Sequence, residues 1–288
     1  MADEFIGRVI AITGAGKGLG RADALYLAGL GASVVVNNRR HEGERQSSAD
    51  RTVQEITASG GEAVAEYSSV EDADAGGRLL AVALENFGRL DGLIANAGIM
   101  EGVTFHKQTL EQFRQVIEIN LFGTVNVLHT VFRHMYRKSA GNIVVSTSSA
   151  GLFGQFGLPA YSTSKAALLG FMQSLSQEGR TKGVRVNALA PYATTAMTKN
   201  HLTEEVGRRM DARAVAPAAA FLVSRGCRAN GEIFICGAGR LAHARMQSTA
   251  SIAVPDIDSD DWQTLQTDLH DLAFDNAIQH FEAFARDG

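Results

Sequence analysis

Tyr161 and Lys165 stand four residues apart at the start of a predicted helix, 162–180. Side chains at this spacing share one face of a helix, so the ammonium group can lie near the phenol. A free tyrosine has a pKa of about 10, and lowering it to neutrality takes roughly 3 units, or ~4 kcal/mol. A tyrosine tuned in this way exchanges a proton with the oxygen of a ketone or an alcohol. The alternative interpretation is a solvated Tyr–Lys pair on a helix surface.

Two further polar residues are candidates for the same chemistry. Ser148 follows a predicted strand, 141–146, and so lies at the end of the strand where ligands bind in parallel sheets. Asn120 lies within an otherwise apolar predicted helix, 111–137, where a buried amide needs hydrogen-bond partners. The alternatives are a serine that caps the loop and an asparagine that braces the helix.

A glycine-rich turn follows the first predicted strand, 9–13. Gly14, Gly18 and Gly20 lie between that strand and a predicted helix, 21–28. Such a turn directs backbone N–H groups and the positive end of a helix dipole at one point, where a pyrophosphate can bind. Glycine is needed because side chains would block both the turn and the phosphate. The alternative is an ordinary strand–turn–helix connection.

Continuous apolar runs alternate with amphipathic stretches along the chain, which is typical of a parallel sheet covered on both faces. The sequence therefore predicts an α/β fold with a doubly wound, Rossmann-like parallel sheet. Its seven predicted strands are 9–13, 33–37, 62–66, 92–96, 141–146, 185–190 and 231–236, and its predicted helices include 50–59, 73–87 and 216–224.

These motifs together resemble the short-chain dehydrogenase/reductase superfamily. The glycine spacing, Asn96-Ala97-Gly98 after the fourth strand and Asn187-Ala-Leu-Ala-Pro191 after the sixth are similar to its motifs. A closer resemblance, over about residues 6–240, is to the (3R)-hydroxyacyl-CoA dehydrogenase unit of peroxisomal multifunctional enzymes and its bacterial relatives. It is carried by segments such as Val34-Val-Val-Asn37 and Gly151-Leu-Phe-Gly-Gln-Phe-Gly157.

The resemblance implies a role for each candidate catalytic residue. Ser148 polarises the carbonyl, Tyr161 is the general acid/base, Lys165 also holds the nicotinamide ribose, and Asn120 positions a proton-relay water. It also places Thr195 at a threonine that contacts the cofactor, and Ser69-Val70 at the position that contacts the adenine.

The cofactor is expected to be NADP, with NAD as the alternative. Where the resembling enzymes place an aspartate for the ribose hydroxyls, this chain has Asn38, followed by Arg39 and Arg40. Loss of the carboxylate removes a charge that would repel a 2′-phosphate, and a guanidinium can bind that phosphate in a bidentate manner. The alternative is that both arginines are surface charges. The candidate cofactor contacts are Gly14, Lys17, Gly18, Leu19, Gly20, Asn38, Arg39, Arg40, Ser69, Val70, Asn96, Ala97, Gly98, Tyr161, Lys165, Pro191 and Thr195.

Composition and charge exclude several other classes of protein. Residues 255–288 hold nine acidic residues and one arginine, a balance of −8, and this leaves +4 on residues 1–254. A mildly basic body suits a phosphate-bearing ligand but is too weakly charged to indicate nucleic acid. The two cysteines, Cys227 and Cys236, show no metal-ligand spacing and suit a reduced compartment. The sequence contains no run of eighteen apolar residues, so no membrane helix is predicted and the expected location is the cytoplasm.

A single domain with a C-terminal tail is predicted. Residues 1–254 form the dehydrogenase domain, and residues 255–288 form an acidic helical tail with Trp262, Leu265, Leu269 and Leu272 on one apolar stripe. The resemblance implies a homodimer or a homotetramer.

The leading interpretation is an oxidoreductase that interconverts a ketone and a secondary alcohol, acting on a 3-oxoacyl or 3-hydroxyacyl thioester or a bulky steroid-like ketone. The alternatives are an NAD-dependent hydroxyacyl-CoA or hydroxysteroid dehydrogenase and a non-catalytic NADP(H)-sensing protein.

Overall fold

The computed structural model describes residues 4–40, 43–195, 204–248, 272–273 and 277–279. In these ranges, eight strands form one sheet in the order β3-β2-β1-β4-β5-β6-β7-β8, and β1 to β7 are parallel. The predicted doubly wound α/β fold is confirmed. The strands of this sheet are β1 Val9–Ile12, β2 Ser33–Asn37, β3 Glu62–Glu66, β4 Gly92–Ala95, β5 Gly141–Ser146, β6 Val184–Tyr192, β7 Ile233–Gly237 and β8 Arg240–Ala244.

The central strands are buried because helices cover both faces of the sheet. All four residues of β1 and of β4, and all six of β5, are buried, and their apolar side chains join the core. The helices are α1 Gly18–Gly29, α2 Ser48–Ala58, α3 Ala75–Phe87, α4 Leu110–Ile117, α5 Gly123–Lys138, α6 Ser149–Phe153, α7 Pro159–Gly179, α8 Glu204–Arg209 and α9 Ala216–Val223.

Chain order in the sheet reverses between β1 and β4. β1 is followed by β2 and β3 on one side, and the chain then returns to place β4 against the other edge of β1. The carboxyl ends of strands at such a switch point are separated by a crevice in which ligands bind. The glycine-rich turn after β1 and the Asn96-Ala97-Gly98 segment after β4 therefore face the same crevice.

The single predicted helix 111–137 is two helices joined by a π-helical turn. Thr109 caps α4. Its side chain accepts a hydrogen bond from the backbone N–H of Gln112, and the Gln112 side chain accepts one from the backbone N–H of Thr109. The π turn, Glu118–Phe122, separates α4 from α5 and contains Asn120. A π turn inserts a residue into the helical ladder, and the hydrophobic period of the sequence does not reveal it.

The eighth strand was not predicted. After β7 the chain makes a two-residue turn at Ala238 and Gly239, both with positive φ (50° and 69°), and continues as β8. Positive φ at both positions is typical of a type I′ hairpin. The residues of β8 are mostly exposed, so the strand lacks the apolar pattern by which the buried strands were predicted.

Contacts within the chain divide it into two units, 1–243 and 244–288. The predicted boundary at residue 254 lies outside the described residues, as do Trp262, Leu265 and Leu269. Within the second unit, Leu272–Ala273 (β10) pairs antiparallel with Gln247–Ser248 (β9). The prediction of a helix at Leu272 is therefore wrong, because strand pairing overrides the helical spacing there; residues 277–279 are helical.

None of the helices in the described ranges is long and apolar enough to cross a membrane.

Candidate active site

A cavity of about 370 Å³ occupies the crevice at the carboxyl ends of the parallel strands. It runs from the end of β2 to Tyr161 and Lys165 on α7, so both predicted halves of the site share one space. Fifteen predicted residues line it: Gly14, Lys17, Gly18, Leu19, Asn38, Arg39, Ser69, Val70, Asn96, Ala97, Gly98, Tyr161, Lys165, Pro191 and Thr195.

Four predicted residues do not line the cavity as the described residues define it: Gly20, Arg40, Asn120 and Ser148. Gly20 is buried in the first turn of α1. Arg40 lies near a different pair, Asp50 and Tyr67. Their mutual hydrogen bond lowers the pKa of Asp50 and raises that of Tyr67, and the charge of Arg40 makes a smaller contribution at both groups. Asn120 and Ser148 contact lining residues, as described below.

The glycines of the first turn are required by close backbone packing. Gly14 and Gly18 have φ values of +67° and +54°, a region that side-chain-bearing residues rarely adopt. A Cβ atom on Gly14 would lie 2.9 Å from the Cα of Ala97, and one on Gly20 would lie 2.6 Å from the carbonyl oxygen of Gly14. The turn is thereby pressed against the Asn96-Ala97-Gly98 segment, and it leaves a cradle that fits a pyrophosphate.

Thr13 ties the ends of β1 and β4 together. Its Oγ1 accepts hydrogen bonds from the backbone N–H groups of Asn96 and Ala97, both at 3.0 Å. The Nδ2 group of Asn96 donates to the Thr13 carbonyl at 3.1 Å. These bonds fix the geometry of the floor of the cavity.

The second strand ends in two asparagines with different surroundings. The buried Asn37 donates to Glu66 Oε2 at 2.5 Å and to the Ser68 carbonyl at 3.0 Å, which locks it into the sheet. Asn38 donates to Ser48 Oγ at 2.9 Å and faces the cavity. The position that resembling enzymes fill with an aspartate is thus occupied by a neutral amide held from α2.

Tyr161, Ser148 and Lys165 converge at the other end of the cavity. The side chains of Ser148 and Tyr161 hydrogen-bond to each other. The Nζ of the buried Lys165 donates to the Ser146 carbonyl at 2.7 Å and lies 5.8 Å from the centre of the Tyr161 ring. Ser148 also caps α6, because its Oγ accepts from the Ala150 N–H at 3.2 Å. The capping and catalytic interpretations of Ser148 are therefore compatible.

Burial is the main cause of the pKa shifts of Lys165 and Tyr161. It lowers the pKa of Lys165 from 10.5 to about 8, because the charged ammonium loses its hydration. It also raises the pKa of Tyr161 above 10, and the hydrogen bond with Ser148 opposes that shift only in part. The expectation that Lys165, together with the positive charge of an oxidised nicotinamide, lowers the pKa of the phenol toward neutrality stays a prediction.

Asn120 reaches the site through the backbone of Ile99. Its Oδ1 accepts from the Ile99 N–H at 2.7 Å, and its Nδ2 donates to the Ile99 carbonyl at 2.9 Å and to Ser164 Oγ at 3.0 Å. Its own carbonyl accepts from Thr124 Oγ1 at 2.8 Å. The fully buried amide thus joins the loop after β4 to α7, on which Tyr161 lies.

We expect Asn120→Ala to lower the free energy of unfolding by about 2–3 kcal/mol, because two backbone groups of Ile99 lose a buried partner. Chemical denaturation measures this change. Asn86→Ala is the matched control, since among the described residues the Asn86 side chain bonds only to the Val82 carbonyl of its own exposed helical turn. Its effect should stay below about 0.5 kcal/mol. A role confined to water positioning would instead reduce activity with no loss of stability.

The sequence of this chain matches known families over most of its length. The model of the short chain dehydrogenase family matches residues 8–206. The chain belongs to the short-chain dehydrogenase family. A protein of Mycobacterium tuberculosis named as a short-chain type dehydrogenase/reductase is 42% identical over 238 residues, which are 81% of this chain and 83% of the relative.

A further relative and a solved structure are also similar to this chain. The 3-oxoacyl-[acyl-carrier-protein] reductase of a Synechocystis species is 38% identical over 200 residues, 69% of this chain and 79% of the relative. The structure of full-length peroxisomal multifunctional enzyme type 2 from Drosophila melanogaster superposes with a TM-score of 0.81 at 27% identity, over 99% of this chain. This short-chain dehydrogenase spans about half (49%) of that enzyme. The resemblance to such enzymes is confirmed.

Eight residues that line the cavity of this short-chain dehydrogenase were not predicted from its sequence. The motif at the end of β5 offered a signal for two of them, because Ser146 and Thr147 directly precede Ser148. Glu71 carries no sequence signal, since a single glutamate in a loop is ordinary. The eight are Asn37, Ser68, Glu71, Ile99, Ile119, Ser146, Thr147 and Ala193.

Proposed function

We propose that this short-chain dehydrogenase uses NADP(H) to interconvert a ketone and a secondary alcohol, with Tyr161 as the general acid/base. The observation that carries the proposal is the half-buried Tyr161, which is hydrogen-bonded to Ser148, lies beside Lys165 and lines the same cavity as the glycine-rich turn. The glycine-rich turn and the two cations that line the cavity, Lys17 and Arg39, fit a nicotinamide dinucleotide. When bound, that cofactor supplies or accepts a hydride at the carbon of the reacting group.

The protonation states at neutral pH favour proton donation by the tyrosine. Because burial raises its pKa, Tyr161 is a neutral phenol and can donate its proton to a carbonyl oxygen. Lys165, with a pKa of about 8, is largely an ammonium at pH 7 and stabilises the phenolate that this transfer leaves. The hydroxyl of Ser148 holds the carbonyl oxygen, and the Ser146 carbonyl fixes Lys165 in place.

The preference for the phosphorylated cofactor is supported by three residues at the other end of the cavity. Asn38 presents no negative charge, and Lys17 and Arg39 line the same space. A guanidinium binds a phosphate group through two parallel N–H donors, whereas NADH offers only a hydroxyl at that position.

The substrate class is proposed as a 3-oxoacyl thioester or a ketone of similar bulk. A relative whose name is 3-oxoacyl-[acyl-carrier-protein] reductase supports it. So does the segment between Ser148 and Tyr161, which exposes two large aromatic side chains, Phe153 (75% exposed) and Phe156 (92% exposed). Apolar rings in a segment tied to the site at both ends suit a long apolar substrate.

Location and assembly are part of the proposal. Cys227 and Cys236 are both free and buried, which suits the reducing cytoplasm. A homodimer or homotetramer is proposed from the family resemblance.

The cofactor preference is tested by titrating the purified protein with NADPH and NADH. We expect NADPH to bind at least about tenfold more tightly, a difference of ~1.4 kcal/mol, and Arg39→Ala to erase most of that gap. Arg40→Ala is the matched comparison, because this neighbouring arginine does not line the cavity, and we expect it to leave the gap within about twofold. Tighter binding of NADH would contradict the preference and favour an NAD-dependent hydroxyacyl-CoA dehydrogenase.

A further inference from the structure

One carboxylate at the adenine end of the cavity has no role in the proposed mechanism. Glu71 lines the space beside Arg39, Asn38 and Ser69. Its Oε2 accepts from Ser69 Oγ at 2.9 Å and lies 3.3 Å from Nη1 of Arg39. A negative charge here is unexpected, because the nearby Asn38 and Arg39 otherwise suit a phosphate.

The position of Glu71 is fixed from two sides. Nδ2 of Asn126, on α5, donates to the Val70 carbonyl at 3.1 Å and to the Glu71 carbonyl at 3.3 Å. The side chain is in turn held by Ser69 and Arg39. Hydrogen bonds to both the backbone and the side chain therefore hold the carboxylate at the cavity wall.

Arg39 can therefore pair with either of two anions, the Glu71 carboxylate or the 2′-phosphate of NADPH. Its side chain is 50% exposed and that of Glu71 is 34% exposed, and ion pairs this exposed are weak. A 2′-phosphate carries more negative charge than a carboxylate and accepts two parallel N–H bonds. For Arg39 to bind a 2′-phosphate it must leave Glu71, whereas NADH has no phosphate at that position and leaves the Arg39–Glu71 pair intact.

We propose that Glu71 sets the cofactor selectivity of this enzyme by competing with the 2′-phosphate for Arg39. The inference rests on the proposed function, because it takes the cavity to be the nicotinamide dinucleotide site. Glu71 narrows the advantage of NADPH that Arg39 would otherwise give, so both cofactors remain within reach of the same protein.

The test is the dissociation constant of each cofactor, measured by calorimetry on the full chain without substrate. Glu71→Gln keeps the shape and the hydrogen-bonding capacity of the side chain but removes its charge. We expect this variant to bind NADPH about fivefold more tightly and NADH within about twofold of the wild type. In the Arg39→Ala background, we expect the same substitution to change NADPH binding by less than about twofold, since its partner is gone.

Glu55→Gln is the matched control. Glu55 pairs with Arg21, also at the surface, and is 46% exposed, but it does not line the cavity. It removes the same charge from the protein, so we expect both dissociation constants to stay within about twofold. An equal gain from Glu55→Gln, an equal gain for both cofactors, or an undiminished gain in the Arg39→Ala background would overturn the inference.

The outcome also separates this inference from the proposed function. A wild-type protein that binds NADH more tightly would contradict the proposed NADP preference, yet a selective gain for NADPH in Glu71→Gln would still support the role of Glu71. A protein that binds neither nucleotide would overturn both.

Discussion

Tyr161→Phe is expected to lower the rate of ketone reduction about a thousandfold, or ~4 kcal/mol in the activation free energy. The substitution removes the only proton that the phenol can donate and keeps the ring that packs beside Lys165. Because the phenol oxygen contributes no fixed charge at neutral pH, we expect the dissociation constant of NADPH to change by less than about threefold. Single-turnover kinetics with a 3-oxoacyl thioester measure the rate, and equilibrium titration measures the affinity.

Tyr136→Phe is the matched control for this loss. Tyr136 lies on α5, packs against Phe132 and Lys182 and does not line the cavity. Its variant should retain the wild-type rate within about twofold. A Tyr161→Phe protein that keeps a tenth or more of the wild-type rate would show that another group delivers the proton.

Asp23→Asn is expected to stabilise the protein strongly at alkaline pH. Asp23 lies on the buried side of α1, and its Oδ1 has no hydrogen-bond partner among the described residues. Burial raises the pKa of this carboxyl from 3.8 to about 7. The folded protein therefore binds the proton more tightly than the unfolded chain, so stability is present below about pH 4 and is lost progressively as the pH rises to 7.

The size of the effect follows from the same shift. Between pH 5 and pH 8 the wild type loses roughly 2.5 kcal/mol of unfolding free energy through this group, and the neutral asparagine does not. Urea denaturation at the two pH values measures the difference between the variant and the wild type. Asp72→Asn is the control, because Asp72 is half exposed and paired with Arg78. An Asp23→Asn effect of equal size at both pH values would refute the assignment of the titrating group.

Much of the fold and of the catalytic end could be predicted from the sequence. The buried β-branched runs of β1, β2 and β5 have the same bounds in the structure within one residue, because full burial on both faces leaves an unambiguous pattern. Tyr161 and Lys165 were brought together by helical periodicity alone. Residue spacing was sufficient to predict a motif wherever all its residues lie on one helix or strand.

The features that the sequence did not reveal depend on contacts between distant elements. Glu71 and Arg39 are separated by thirty-two residues, and only the pairing of β2 with β3 brings them to one wall. The raised pKa of Tyr161 depends on how completely neighbouring elements cover the ring, which a one-dimensional pattern does not report. Asn120 is buried and hydrogen-bonded as expected, but its partner Ile99 could not be predicted, because the amide lies in a π turn that faces the loop after β4.

The central claim is that this cavity reduces a ketone rather than merely binding a nucleotide. The most direct test is to mix the protein with one equivalent of NADPH and an excess of a 3-oxoacyl thioester, and to follow the nicotinamide absorbance together with the product. We predict that NADPH is consumed in a single turnover with an equal amount of secondary alcohol formed, and that Tyr161→Phe binds NADPH but does not consume it. Tight NADPH binding with no oxidation by thioester or steroid-like ketones would contradict the claim and favour a nucleotide-sensing protein.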